Sequence, residues 1–467
     1  MRTAVRIPLA VAVALMFRSL GAVAQGLEAE EDLALAYGGK DTVSIATGTQ
    51  QALRRAPAVA SVITAEDIAA MGAVNLDEVM ETVPGVHVAR NGISNTANYV
   101  MRGVFNANNP HILMLQNGVP MTLMFLGNKG GVWGGLPLEN VARIEIIRGP
   151  GSALYGADAY SGVINIITKT AADTPGTEVG VRVGSFATGD AWALHGGKLG
   201  DIDVAAYLRI GTTKGFEETL AADAQTLRDK TSGRPAASLA PGPMNLGRDA
   251  VDASLDLSHG KWRFRGSYKL RDNVELGAGV ASALDPNSQA RSERITGDLS
   301  WLDPYVARDW SLGLMASYLY YGDTVPTNLF LAPPGAKIGA TVFPDGQIGG
   351  PNKWERQIRL SANATYAGFA DHSVRLGIGH DDLNMYKTAT YKNYLINQTT
   401  GAVTLTGPVA DYSDTQPFMA PQRRKVDYVS IQDEWHFSRD WTLTAGVRRD
   451  IYSDVGGTTN PRLALVW

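Results

Sequence analysis

Residues Ile147 to Lys169 read IRGPGSALYGADAYSGVINIITK, and the reading of the whole chain starts from this stretch. The run Val141 to Ile147 forms a strand that ends in the turn Gly149-Pro150-Gly151. A loop rich in Gly, Ala and Ser follows, and Val163 to Thr168 form a second strand. Glycine admits positive φ or a close backbone approach, and proline presets φ at a turn. Taken alone, the stretch is a compact corner of a sheet.

Two short helices are expected upstream. Thr64 caps the first, with Asp67 three residues on, and Asn75 caps the second, with Glu78 in the capping-box place. Gly72 ends one and Pro84-Gly85 stops the other. Short strands are expected at Val86 to Arg90, Tyr99 to Arg102 and Ile112 to Gln116, with Asn117-Gly118 as a hairpin turn. Together these make a small α+β domain over residues 57–170.

From residue 171 the pattern becomes alternation with a period of two. Val179, Val181 and Val183 share a face against Glu178 and Arg182, and Val251, Ala253, Leu255 and Leu257 oppose Asp252, Ser254, Asp256 and Ser258. The same alternation returns at Trp310 to Tyr320, Ile358 to Tyr366, Val429 to Phe437 and Trp441 to Val447. Apolar-out, polar-in strands of about ten residues mark a transmembrane β-barrel, although a soluble sandwich also alternates. The connections separate the two. Tight turns near Gly200-Asp201, His259-Gly260, Gly368 to Asp371 and Arg439-Asp440 alternate with long gaps over 213–247, 273–290, 322–352 and 388–423. That segregation belongs to a barrel with short turns on one side of a membrane and long loops on the other.

Composition narrows the chemistry. The 467 residues carry a net charge of −4, 51 glycines and no cysteine. Thiol catalysis, thiolate metal sites and disulfides are thereby excluded, and no basic patch calls for nucleic acid. Gly38-Gly39-Lys40 and Gly196-Gly197-Lys198 lack the remainder of a phosphate loop, and Ser152 does not sit in a nucleophile elbow. His380-Asp381-Asp382 reads as a solvated charge cluster. The chain is therefore expected to be no enzyme, with no cofactor and no metal site. Arg2 and Arg6, the apolar run Ile7 to Phe17 and Ala22-Val23-Ala24 make residues 1–24 a signal peptide. No later stretch is apolar enough for a spanning helix.

The pieces SVITAEDI, LDEVMETVPGV, YVMRGV, LMLQNGVPM and VARIEIIRGPGSALYGADAYSGVINIIT resemble, in order, the plug domain of TonB-dependent outer-membrane receptors. The resemblance implies a plug at 57–170 and a transmembrane β-barrel at 171–467, in the outer membrane of a Gram-negative cell and in contact with its lipid. Residues 25–56 become a flexible leader. Within it Asp41, Thr42, Val43, Ser44, Ile45 and Ala46 resemble the TonB box, though the same letters also suit an edge strand or linker. Such a box adds a strand to the sheet of TonB, the partner energised by an inner-membrane complex.

The resemblance also implies a lock in which plug arginines face barrel glutamates. The matching positions are Arg102, Arg148 and Glu434, with Glu355 as a further candidate; independent solvated charges are the alternative. Ligand contacts are expected from outward plug loops, through Asn95, Asn98, Asn106, Asn108, Phe125 and Trp133, whose amides and rings suit a large ligand. The implied function is energy-coupled uptake of a ferric siderophore, with cobalamin or haem as alternatives.

The strand count adds one further expectation. About eleven strands and the start of a twelfth, Asn460 to Trp467, follow residue 170, against 22 in plugged transporters. A dozen strands at about 4.8 Å spacing and about 40° tilt enclose a diameter of about 24 Å. A plug of this size is about 35 Å across. The barrel is accordingly expected to be incomplete, about 12 of 22 strands, with a truncated fragment that does not transport as an alternative to the uptake function and Trp467 as a genuine aromatic terminus the opposing reading.

Overall fold

The computed structural model describes residues 42–46, 48, 51–91, 93, 95–127, 129–232 and 236–467. The signal peptide, the acidic part of the leader and Asp41 lie outside the described residues.

The described chain begins with Thr42–Val43 (β1) and Gln51–Ala52 (β2), which pair antiparallel. Next come β3 (Ala60–Thr64), α1 (Ala65–Met71) and α2 (Leu76–Glu81). The start of α1 is a capping box: Asp67 N donates to Thr64 Oγ1 at 3.2 Å, and Thr64 N donates to Asp67 Oδ2 at 3.0 Å. Gly72, at φ 68°, ends it. At α2, Asn75 Oδ1 accepts from Asp77 N and Glu78 N, while Glu78 accepts from Val74 N at 2.8 Å and from the Asn75 side-chain amide at 2.7 Å rather than from the Asn75 backbone N–H. Each side-chain cap satisfies amides that the first turn leaves without partners, worth about 1 kcal/mol.

β4 (Val86–Arg90) and β5 (Ala97–Met101) form a separate hairpin. β6 (Ile112–Gln116) turns through Asn117 and Gly118, at φ 52° and 82°, into β7 (Val119–Pro120). β8 (Val141–Arg148) and β9 (Gly162–Thr168) complete a five-stranded sheet in the order β3-β8-β9-β6-β7. The loop between β8 and β9 is not irregular throughout. It carries the single turn α3 (Ser152–Tyr155) and a 3-10 turn at Ala157–Ala159. Where that loop re-enters the sheet, a Cβ on Gly162 would lie 2.1 Å from Met101 Sδ and 2.5 Å from the Ile147 carbonyl oxygen. Only glycine fits there.

The sheet has two buried faces. Met114, Ile144, Ile146, Ile164 and Ile166 pack against Ile68, Leu76, Val79 and Met80 of the helices. On the other face, Leu113, Leu115, Ile147 and Val163 are covered by Val43, Ile45, Ala46 and Ala56. The leader reading is therefore corrected for these residues: the segment is docked, because its apolar side chains find a matching face. Fully burying a valine or isoleucine contributes roughly 1.5–3 kcal/mol.

Twelve long strands follow in sequence order and pair antiparallel with their neighbours. They are β10 (Gly176–Gly184), β11 (Thr188–Leu199), β12 (Ile202–Thr213), β13 (Arg248–His259), β14 (Trp262–Glu275), β15 (Gln289–Ala307), β16 (Trp310–Thr324), β17 (Gln347–Tyr366), β18 (His372–Ile396), β19 (Gln422–Ser438), β20 (Trp441–Tyr452) and β21 (Gly456–Val466). Short strands at Leu329–Ala332 and Val403–Asp411 pair onto β17 and β18. The path runs from β10 to β21, and among the described residues those two ends do not pair, so the sheet is open. β21 is 11 residues long rather than the eight expected from Asn460. Backbone pairing of Gly457 and Thr458 with Ile451 and Asp450 extends it regardless of side-chain polarity.

Parity holds along the sheet. Val179, Val181 and Val183 point outward and are exposed, as are Leu208, Ile210, Ile358, Ile378, Val429 and Leu463. Arg182, Asp190, Arg209 and Asp252 point inward. At the short-turn end, rings form a row along the outside: Trp310 with Tyr366 at 4.9 Å, His372 with Trp435 at 5.4 Å, and Trp441 with Trp467 at 5.8 Å. An apolar outer band with an aromatic girdle is what a membrane interface asks of strands. No helix among the described residues is long and apolar enough to cross a membrane.

Candidate functional site

The plug sits against the inner face of the sheet, and the contacts between them define the candidate site. They run mainly from charged or amide side chains of the sheet to the plug backbone. Arg265 donates to Asn117 O at 3.3 Å, Arg271 to Gly134 O at 3.0 Å and Arg448 to Leu154 O at 2.7 Å. Arg294 donates to the carbonyl of Lys129, and Gln357 to that of Thr122 at 2.9 Å. A guanidinium gives up hydration to reach these carbonyls, and a charged hydrogen bond contributes about 1.5–3 kcal/mol.

Of the expected lock residues, Glu355 meets plug backbone among the described residues. Its carboxylate is fully buried and accepts from Met124 N at 2.8 Å and Phe125 N at 3.1 Å. Among the described residues, neither Arg102 nor Arg148 pairs with Glu434 or Glu355. Arg102 donates to Arg148 O at 3.2 Å, and Arg148 donates to Ser61 Oγ at 3.1 Å and to the carbonyl of Pro84. Both arginines are thus used inside the plug. Glu434 is buried on β19, accepts from Gln432 Nε2 at 3.3 Å and lies in the field of Arg375 and Arg462. The contacts between sheet and plug are instead spread over other residues, whose side chains reach backbone carbonyls at the plug surface.

The candidate box is held from both sides. Ser44 N and Oγ donate to Glu145 Oε2 at 3.0 and 2.8 Å, and Ile45 N donates to the same oxygen at 3.1 Å. Glu145 is fully buried on β8, with Arg143 Nε at 3.0 Å on its other oxygen. From the sheet, Arg462 of β21 donates to Ala46 O at 2.7 Å and to Pro57 O at 3.0 Å. The sequence reading missed both residues. Glu145 stands among five apolar residues in VARIEII, and a carboxylate at such a position was the available signal.

The expected ligand residues separate into two groups. Asn95 and Asn108 are part-exposed and Asn106 is exposed, while the Phe125 ring lies 4.4 Å from Lys353 Nζ. Asn106 accepts from Asn108 N at 2.9 Å, closing a turn. Asn98 and Trp133 are buried, so they are corrected to core positions. Trp133 packs under the Arg294 guanidinium at 5.2 Å, because a large flat ring is the best cover for an inward-facing cation. The loop at Ile93 reaches the long-loop end of the sheet through a bridge to Gly277.

A cavity of about 330 Å³ separates the α3 loop from β17, β18, β19 and β20. Its wall includes Asp158, Arg359, Arg424 and Tyr428, and at its other end Ser44 and Gly48. It reaches the docked segment at Ser44, Ile45 and Gly48; no group of three or more metal-ligating side chains occurs among the described residues.

Comparison with known proteins agrees with this layout. Residues 52–163 match the family described as TonB-dependent Receptor Plug Domain, and residues 241–467 match TonB dependent receptor-like, beta-barrel. The vitamin B12 transporter BtuB of Vibrio vulnificus is 36% identical over 154 residues, 32% of this chain and 24% of that protein. BtuB of Photobacterium profundum is 33% identical over 161 residues, 34% of this chain and 25% of that protein. The siderophore receptor PirA from Acinetobacter baumannii superposes with a TM-score of 0.61 at 18% identity, over 87% of this chain and 59% of that one. The ferripyoverdine receptor of the outer membrane of Pseudomonas aeruginosa does so at 0.62 and 16%, over 90% and 55%. The chain thus spans somewhat over half the length of the solved receptors and about a quarter of the curated relatives it matches.

Proposed function

The chain belongs to the TonB-dependent receptors of the outer membrane, and from that premise we propose that it serves energy-coupled import of a large, scarce ligand. The observation that carries the reading is the double hold on residues 42–46. A strand-forming segment is anchored to the plug by Glu145 and to the sheet by Arg462, through polar contacts that a pull along the chain breaks one at a time. TonB takes this segment by strand addition, and force on it is delivered to the α3 loop and the cavity beside it. The remaining plug contacts, mostly single bonds to backbone carbonyls, let part of the plug move while Glu355 retains the loop at Met124.

A ferric siderophore is the leading ligand. The part-exposed amides at Asn95 and Asn108, the exposed one at Asn106 and the ring of Phe125 offer hydrogen bonds and apolar surface to such a chelate. Cobalamin is the second reading, favoured by the identity to vitamin B12 transporters. The activity proposed is that of a receptor whose wall is closed around the plug. Uptake of a panel of labelled ferric chelates and cobalamin, in cells with and without the gene, tests it. Gene-dependent uptake of one ligand that needs TonB is the expected result; uptake indifferent to TonB removes the reading.

A further inference from the structure

An excess of positive charge collects where β10 to β14 approach the long-loop end of the sheet. Arg182 pairs with Glu139 of the plug at 2.8 Å and with Asp190 at 2.9 Å. Arg209 pairs with Asp190 and, at 3.1 Å, with Asp252. Lys269 and Arg271 approach the same Asp252 at 3.4 and 3.1 Å. Arg248, at the start of β13, has no hydrogen-bonded or ion-paired partner among the described residues. The nearby Asp77 is already paired with Arg90 at 2.7 Å. Five cations thus face three carboxylates, a surplus of two positive charges.

That surplus borders empty space. A cavity of about 390 Å³ is lined by Arg182, Arg209 and Arg248, by Asp190, which is already paired with the first two, and by the hydroxyl-bearing Thr188 and Thr213. The Arg248 guanidinium lies against plug backbone, since a Cβ on Gly135 would come within 2.2 Å of its Nη2. Charge held out of water without a counter-charge is costly, and a guanidinium fork matches two coplanar oxygens. We propose that this cavity is an oxyanion subsite in which Arg248 binds a carboxylate of the imported ligand. The ligand class is then an anionic, carboxylate-bearing chelate rather than a neutral one. The assignment rests on the receptor reading above for the ligand's being imported, but the binding itself does not.

The test uses the purified 467-residue chain in detergent micelles, titrated calorimetrically with citrate and with its neutral triester, triethyl citrate. Citrate is expected to bind and the triester not to. Arg248→Gln is expected to weaken citrate at least tenfold and Arg248→Lys by less, with circular dichroism showing the same β content for both. Binding should also weaken as sodium chloride rises from about 50 to about 300 mM, a range over which screening tightens. No citrate binding, or binding unchanged in Arg248→Gln, overturns the proposal. Binding of lipopolysaccharide micelles in place of citrate overturns it too, by assigning the cavity to a lipid phosphate. Citrate binding in a protein whose cells show no TonB-dependent uptake would remove the receptor reading and leave the subsite standing.

Discussion

The Arg462 guanidinium donates to the carbonyl oxygen of Ala46 at 2.7 Å, joining the last strand of the sheet to the segment that packs on the outer face of the plug sheet. The two residues are 416 positions apart in the chain. On the opposite side of the same segment, Glu145 holds Ser44 and Ile45. Replacing either anchor removes one polar hold and leaves the apolar packing in place. Arg462→Met is expected to raise the open population of residues 42–46 by about 10- to 100-fold, the equivalent of one charged hydrogen bond of about 1.5–3 kcal/mol. Spin labels or limited proteolysis at Thr42 read this directly; unchanged mobility would show that apolar packing alone docks the segment.

Coupling to TonB needs the same segment as a free strand. Proline at Ile45 removes the donor to Glu145 and a donor that an added strand would use. Ile45→Pro and Val43→Pro are therefore expected to abolish uptake while ligand binding persists. Wild-type uptake in both variants would move the coupling segment elsewhere.

The lock should follow the contacts seen rather than the charges paired by motif. Glu355→Gln keeps the shape but gives up charged acceptance of two plug amides, and is expected to loosen residues 121–127. Hydrogen exchange at Met124 and Phe125 should speed by one to two orders of magnitude. A double-mutant cycle between Arg148 and Glu434 should return a coupling near zero; a coupling above about 0.5 kcal/mol would restore the motif-based pair.

Gly162 tests the corner from which the sequence was read. Gly162→Ala pushes a methyl group into Met101 Sδ and the Ile147 carbonyl. Met101 can swing away but the carbonyl cannot, so the substitution is expected to destabilise the plug by about 1–3 kcal/mol. Urea unfolding of the plug, followed by tryptophan fluorescence, measures the change; a loss under about 0.5 kcal/mol would mean that the β8–β9 loop shifts freely.

Local features were legible in the sequence because their physics is local. Thr64 with Asp67 announces a cap, Asn117-Gly118 announces a hairpin, and Val179, Val181 and Val183 announce a strand with one face in lipid. The docked box was not legible, since Ser44 meets Glu145 across 101 residues. The contacts between sheet and plug were not legible for a related reason. Arg271, Arg448 and Arg462 seek carbonyls, and a carbonyl has no letter in the sequence. Asn98 and Trp133 show the limit for ligand sites: residue type gives chemistry, but the face on which it lies comes from packing.

Lys129 of the plug carries a pH dependence whose sign is fixed by its surroundings. Burial is the main cause that lowers its ammonium to about 8; Arg294 adds to the shift and Asp77 opposes it. The amine lies 4.7 Å from the Tyr99 ring centre, with Ala97 O at 3.5 Å as its acceptor. An ordinary lysine holds its proton to about 10.4. Between about 8 and about 10.4 the unfolded chain therefore binds more protons at this site than the folded plug does, and stability rises with pH. Below about 8 both states are protonated and the folded state bears the full cost of the buried charge. Lys129→Met removes the titrating group, keeps the stem, and is expected to stabilise the plug at pH 7 and flatten the rise above pH 8. Urea midpoints at pH 7, 8, 9 and 10 for both proteins decide it: parallel curves would mean that the wild-type ammonium is as well solvated in the folded plug as in the unfolded chain.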